Sequence, residues 1–157
     1  MEQQIKVDKD YTLVVSIMQV ADILVKVRER ELLPHNLSTT AAEILFLVKA
    51  MGENVTPATI TRMMMQEHHS ISGILVRMEK RGLLNLTKNM ERKNHIRVTL
   101  TAKGEKALNQ VMKLTGTTQL LAKLTVNQRS KLEQLLTVIK EAGLKELYHR
   151  PKVLLWP

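Results

Sequence analysis

Between Tyr11 and Leu33 the apolar positions Leu13, Val14, Ile17, Met18, Ala21, Leu24 and Val25 recur at three- and four-residue intervals, the period of an amphipathic helix. Val15, Val20, Ile23 and Val27 widen that stripe beyond one face. A helix apolar over more than one face has to bury against two surfaces, and in a small chain the second is expected to be another subunit. Pro34 ends the helix, because its ring disfavours helical geometry in the preceding residue and its nitrogen has no hydrogen to donate. Ser38 or Thr39 caps a second helix, which runs through Ala42, Leu45, Phe46 and Val48 to a stop at Gly52. Thr56-Pro57 reads as a cap followed by proline at the first helical position, opening a third helix through Ile60, Met63 and Met64. After the polar interruption Gln66-Glu67-His68-His69 the helical period resumes at Ser70 with Ile71, Ile74, Leu75 and Met78. It ends at Arg81-Gly82, with cations in the last turn and glycine as the C-terminal cap.

The period then changes to alternation. Leu83 to Thr87 and His95 to Leu100 read as two short strands joined by a charged tip at residues 88–94. Thr101 caps another helix running past Leu108, Val111, Met112 and Leu114. Thr125 opens a last one with Leu132, Leu135, Leu136, Ile139, Ala142 and Leu147 in register. The apolar tail Val153-Leu154-Leu155-Trp156 is too short for a helix of its own and is expected to pack on a partner subunit. Helix, turn, helix and hairpin together predict a mainly α fold: a winged helix-turn-helix with a two-stranded β-wing and long N- and C-terminal helices. No repeat or linker interrupts it, so residues 1–157 are read as one domain, with the winged lobe at 38–100 flanked by helices at 8–33 and by helices and tail at 101–157.

Composition removes several function classes. The 157 residues, 44% hydrophobic and 25% charged, are those of a folded globular chain. Cysteine is absent, which excludes a disulfide framework, a thiolate metal site and a thiol nucleophile. The uncharged runs are far shorter than a membrane-spanning helix requires, and Met1 to Lys6 lacks the basic-then-apolar pattern of a secretory signal, so a cytoplasmic protein with no membrane partner is expected. With 3% aromatic residues there is little material for a platform that stacks single-stranded bases. No Gly-rich phosphate loop, nucleophile elbow or distinctive carboxylate set points to an enzyme or a cofactor. His68, His69 and His95 fall in one region, with His35 and His149 elsewhere, yet adjacent histidines diverge on a helix and none has a partner four residues away, so no metal is expected. Nine methionines, including Met63-Met64-Met65, read as adaptable core filler.

Charge changes the picture more. The net charge of +9 is distributed as −2 over residues 1–61, +6 over 62–106 and +5 over 107–157. Between Arg77 and Arg97 seven basic residues face two acidic ones, so the patch coincides with the second helix of the helix-turn-helix and with the wing. That coincidence points to double-stranded DNA, whose major groove admits a helix while the wing reaches the neighbouring backbone. A winged helix serving protein interaction, or a non-specific architectural DNA binder, is the alternative. The first turns of the recognition helix place His68, His69, Ser70, Ser72 and Gly73 near base edges, with Arg77 at backbone or bases and Lys88, Arg92, Lys93 and His95 as wing contacts. Ser70 and Ser72 serve equally as cap and first-turn polar residues, and Lys80 and Arg81 equally as partners of the helix dipole.

Ser70 to Leu84 resembles the recognition helix of MarR-type regulators running into their "LEKKGL" stretch, and Val98-Thr99-Leu100-Thr101-Ala102-Lys103-Gly104 resembles their "VxLTxKG". Where that family usually carries Asp-x-Arg in the wing, this chain has Arg92-Lys93-Asn94, or Glu91-Arg92-Lys93 with a one-residue slip. The resemblance covers nearly the whole chain. It implies a homodimeric, ligand-responsive transcription factor, usually a repressor, on a pseudo-palindromic operator. The terminal helices then hold the dimer, with Leu13, Ile17, Leu135, Ile139, Leu154 and Trp156 at its interface. The resemblance also implies a small-molecule effector between those helices and the DNA-binding lobe, where Tyr11, Arg28, His35 and Phe46 fall by position.

Overall fold

A computed structural model describes residues 8–52, 55–65, 68–88 and 96–149, with the backbone alone described at 68, 148 and 149. The chain separates into two compact units, residues 1–117 and 118–157. Among the described residues the fold is mainly helical with one two-stranded antiparallel sheet, as the sequence patterning predicts.

In the first unit α1 (Lys9–Leu32) starts at Asp8, whose carboxylate accepts the Asp10 N–H. It gives way to a 3-10 turn at Leu33–His35, where Pro34 stands, and Asn36 follows in the left-handed region. Ser38 caps α2 (Thr39–Met51), its hydroxyl accepting the Ala41 N–H at 3.2 Å, and Gly52 ends it at a φ of +71°. Thr56 caps α3 (Pro57–Met64) in the same way, with Pro57 in the first turn where its missing N–H leaves no bond unmade. Then come α4 (His68–Lys80), β1 (Leu84–Lys88), β2 (Ile96–Leu100) and α5 (Ala102–Met112), and α6 (Gly116–Leu121) spans the boundary between the two units. Leu84 pairs with Leu100 and Lys88 with Ile96, so the register is continuous over the described strands.

The core of the lobe follows from helical spacing. Ile44, Leu45 and Val48 of α2 meet Ile60 of α3, Ile71, Leu75 and Met78 of α4, and Leu108 and Val111 of α5, all buried in one cluster with Val98 from the wing. Full burial of each such side chain contributes on the order of 2 kcal/mol. The wing is tied down by its backbone: Val98 N–H donates to the Val55 carbonyl at 2.8 Å, and Thr101 N–H to the Leu83 carbonyl at 3.2 Å. α5 lies so close to Leu83 that a Cβ on Gly104 would come within 2.0 Å of the Leu83 carbonyl oxygen.

Two expectations shift. α4 begins at His68, so Ser70 stands inside its first turn and not at its cap. The helix opened by Thr101 stops at Met112, where Lys113 and Leu114 N–H groups bond three residues back, and a separate α6 follows. The break is fixed by a distant partner, since Gly116 N–H donates to the Glu31 carboxylate of α1.

In the second unit α7 (Val126–His149) opens with a reciprocal cap, Thr125 Oγ1 accepting the Gln128 N–H and Gln128 Oε1 accepting the Thr125 N–H. Among the described residues no helix is long and apolar enough to cross a membrane.

Candidate nucleic-acid interface

Three elements build the interface. α3 is closed by Met65, its C-cap, in the left-handed region at a φ of +51°, and α4 follows from His68. α4 turns Ile71, Leu75 and Met78 inward. That leaves His69, Ser70, Val76, Arg77 and Lys80 exposed on its outward side, with Ser72 and Gly73 half-buried; His68 is its first residue.

The far end of α4 is locked by a double turn in which Leu83 N–H donates to the Met78 carbonyl and Gly82 N–H to the Glu79 carbonyl, with Gly82 at a φ of +70°. Side chains brace the same corner. Arg81 donates to the Asn36 carbonyl, Lys103 Nζ to the Arg81 carbonyl at 2.7 Å, and Leu86 N–H to Glu79 Oε1 at 3.0 Å. Glu79, the one acidic residue of α4, is therefore engaged with the wing, and Arg81 with the turn that precedes α2. The wing presents exposed Lys88 and Arg97 on its paired strands. Arg92, Lys93 and His95 lie outside the described residues.

The geometry thus brings Arg77, Lys80, Lys88 and Arg97 to exposed positions on two consecutive elements. Arg62, exposed in the last turn of α3, is a further cation of the helix-turn-helix that sequence patterning does not single out; the signal available was a basic residue flanking the turn.

Three of the residues expected at a subunit interface are strongly exposed. Leu13 and Ile139 are 58% and 52% accessible, Leu135 is comparable and Ile17 is half-buried, while Leu154 and Trp156 lie outside the described residues. Of the residues expected at an effector crevice, Tyr11 and Phe46 are exposed and Arg28 and His35 half-buried. Arg28 bonds Glu31 and the Val111 carbonyl, each at 3.4 Å. Tyr11 and Arg28 sit on one helix with a separation of about 25 Å along its axis, so no small crevice in one protomer reaches both. A shallow cavity of about 600 Å³ beside the end of α1 is lined instead by Lys26, Glu29, Arg30, Leu33 and Leu37. Among the described residues no group of His, Asp or Glu is arranged to hold a metal ion.

Comparison with known proteins agrees with this geometry. The MarR family model matches residues 35–92. The organohalide-sensing RdhR transcriptional regulator, in its 2,4-dichlorophenol-bound form, is 30% identical over 100% of this chain and 94% of its own, with a TM-score of 0.82. A mutant of MarR from E. coli complexed with operator DNA shares the fold at 21% identity over 82% of this chain and 93% of its own, with a TM-score of 0.74. So does a probable transcriptional regulator from Pseudomonas aeruginosa, at 19% identity over 81% of this chain and 96% of its own, TM-score 0.71. No curated protein sequence matches the chain significantly. The chain belongs to the MarR family of winged-helix transcriptional regulators.

Proposed function

We propose that this chain represses transcription as a homodimer on a pseudo-palindromic operator, laying α4 of each protomer in a major groove and the wing along the adjacent backbone. The observation that carries the reading is the outward side of α4, where Arg77 and Lys80 stand exposed beside His69 and Ser70 while the acidic Glu79 is engaged by Leu86. His68, His69, Ser70, Ser72 and Gly73 are assigned to base edges, Arg77 to a base or phosphate, and Lys88 with Arg92, Lys93 and His95 to the wing's backbone contacts.

The homodimer is supported by the apolar positions that α1 and α7 leave open to solvent, Leu13, Leu135 and Ile139 among them, since exposed apolar surface on that scale is costly without a partner. Leu154 and Trp156 are assigned to the same interface. A small-molecule effector would act by binding one spacing of the two lobes better than another. The related RdhR regulator senses organohalides and is known with a dichlorophenol bound, which supports an effector here as well. Arg28, His35 and Phe46 are assigned to its crevice, with Tyr11 contributed from the other protomer.

The test is a titration of the purified chain against random duplex pools at two salt concentrations, with the retained fragments sequenced. Recovery of an inverted repeat with half-sites about one helical turn apart is expected. Affinity should fall with salt at a log–log slope near −0.9 per phosphate neutralised. Salt-sensitive retention without a motif would replace this reading with a non-specific architectural binder, and no retention at low salt would replace it with a protein-interaction module.

A further inference from the structure

The chain has six glycines, and four of them have a reason inside it. Gly52 and Gly82 take left-handed φ values of +71° and +70°. Gly104 lies under the Leu83 carbonyl, and a Cβ on Gly116 would sit 2.8 Å from the Glu31 carboxyl group. Gly143, within α7, and Gly73, within α4, have no such reason, and of the two only Gly73 stands on a helix of the candidate nucleic-acid interface. A Cβ built there meets, among the described residues, only Arg77 Nη1 at 3.6 Å, which is ordinary van der Waals contact. The folded chain has room for alanine at this position, and alanine is the better helix former, so glycine weakens α4 without any return within the protomer.

Its place on the helix explains what that glycine is for. With successive residues rotated by about 100°, Ile71 and Met78 fall within about 60° of buried Leu75, and Gly73 falls about 160° away. Gly73 is therefore at the middle of the outward side, ringed by His69, Ser70, Val76, Arg77 and Lys80. The Arg77 side chain runs back toward the helix N-terminus, the direction helical side chains prefer, and brings a guanidinium nitrogen beside the vacant Cβ position.

We infer that Gly73 is the point at which the backbone of α4 comes closest to the duplex, and that Arg77, laid beside it, reads a guanine there through paired N–H donors to O6 and N7. The pair sets operator specificity. This rests on the DNA-binding reading above and gives it a base and a depth. Without a Cβ the helix axis sits further into the groove, which brings the guanidinium fork within hydrogen-bonding distance of the base edge. Lysine, a single point charge, does not reproduce the paired geometry.

The full chain, Gly73→Ala and Arg77→Lys are titrated against the same random duplex pool at low and high salt, the retained fragments are sequenced, and thermal unfolding of each protein is recorded. Gly73→Ala is expected to raise Tm by about 3 °C. It should bind the enriched sequence at least tenfold more weakly while keeping salt-sensitive attachment to unselected duplex. Because that variant is stabilised, misfolding does not account for the loss. Arg77→Lys is expected to abolish a preference for guanine at one position per half-site, worth roughly 5- to 100-fold, while its salt slope stays the same. Unchanged affinity in Gly73→Ala, or an unchanged guanine preference in Arg77→Lys, overturns the inference and leaves the regulator reading standing. Failure of the unaltered chain to enrich any sequence overturns both.

Discussion

The winged lobe and the terminal helices use the same helical spacing of apolar residues with opposite results. In α2, α3 and α4 that spacing buries Ile44, Ile60, Ile71 and Leu75 to 1% accessibility or less, whereas in α1 and α7 it leaves Met18, Leu135 and Ile139 at 63%, 54% and 52%. Amphipathic periodicity states that a face must be covered; it does not state by what. For the lobe the cover is its own chain. For α1 and α7 we propose a second copy, so the stability of the lobe should be independent of protein concentration and the burial of the terminal helices should not.

The largest predicted effect breaks the lobe. Leu75→Ala leaves a cavity at the centre of its core and should cost about 3 kcal/mol in denaturant unfolding, equally at micromolar and at tenfold higher concentration. Gly104→Ala forces α5 off the Leu83 carbonyl and should cost about 2 kcal/mol, read in the same way. The double change Leu135→Ala and Ile139→Ala sharpens the contrast from the other side. It should raise the dimer dissociation constant roughly tenfold or more in sedimentation equilibrium. At the smallest end, Lys49→Ala removes an ion pair to Glu105 whose two side chains are 60% and 50% accessible, and should change stability by well under 1 kcal/mol, less still in high salt.

The lobe was largely legible because its signals are local. Ser38, Thr56 and Thr101 each cap the helix that follows them, Pro57 stands in a first turn, and Gly82 closes α4. Each works through its own hydroxyl, ring or missing side chain within four residues, which is the range over which sequence patterning is informative. The hairpin strands lie within one residue of their expected starts, since alternation of Leu84, Leu86, Val98 and Leu100 fixes which face is covered.

What was illegible depends on partners distant in sequence. The end of α5 and the separate α6 are set by Glu31 reaching Gly116 across 85 residues, and nothing in the apolar run Leu108, Val111, Met112, Leu114 announces it. The start of α4 is not announced because His68 and His69 are polar and precede the apolar period, and the end of α3 is a left-handed Met65, a position that ordinarily signals itself by glycine or asparagine. The basic patch was legible as charge but not as roles: Arg81 and Lys103 are occupied with backbone carbonyls, while Arg77 and Lys80 stand exposed. The difference between Gly73 and Gly104 is likewise invisible in sequence, because it lies in what surrounds each vacant Cβ.

Hydroxyl-radical footprinting of the full chain on the sequence it enriches tests the central claim most directly. Two protected patches about one helical turn apart on the same face of the duplex are predicted, one for each protomer's α4 and wing. A single patch, or uniform protection along the duplex, would contradict a dimer that docks two recognition helices.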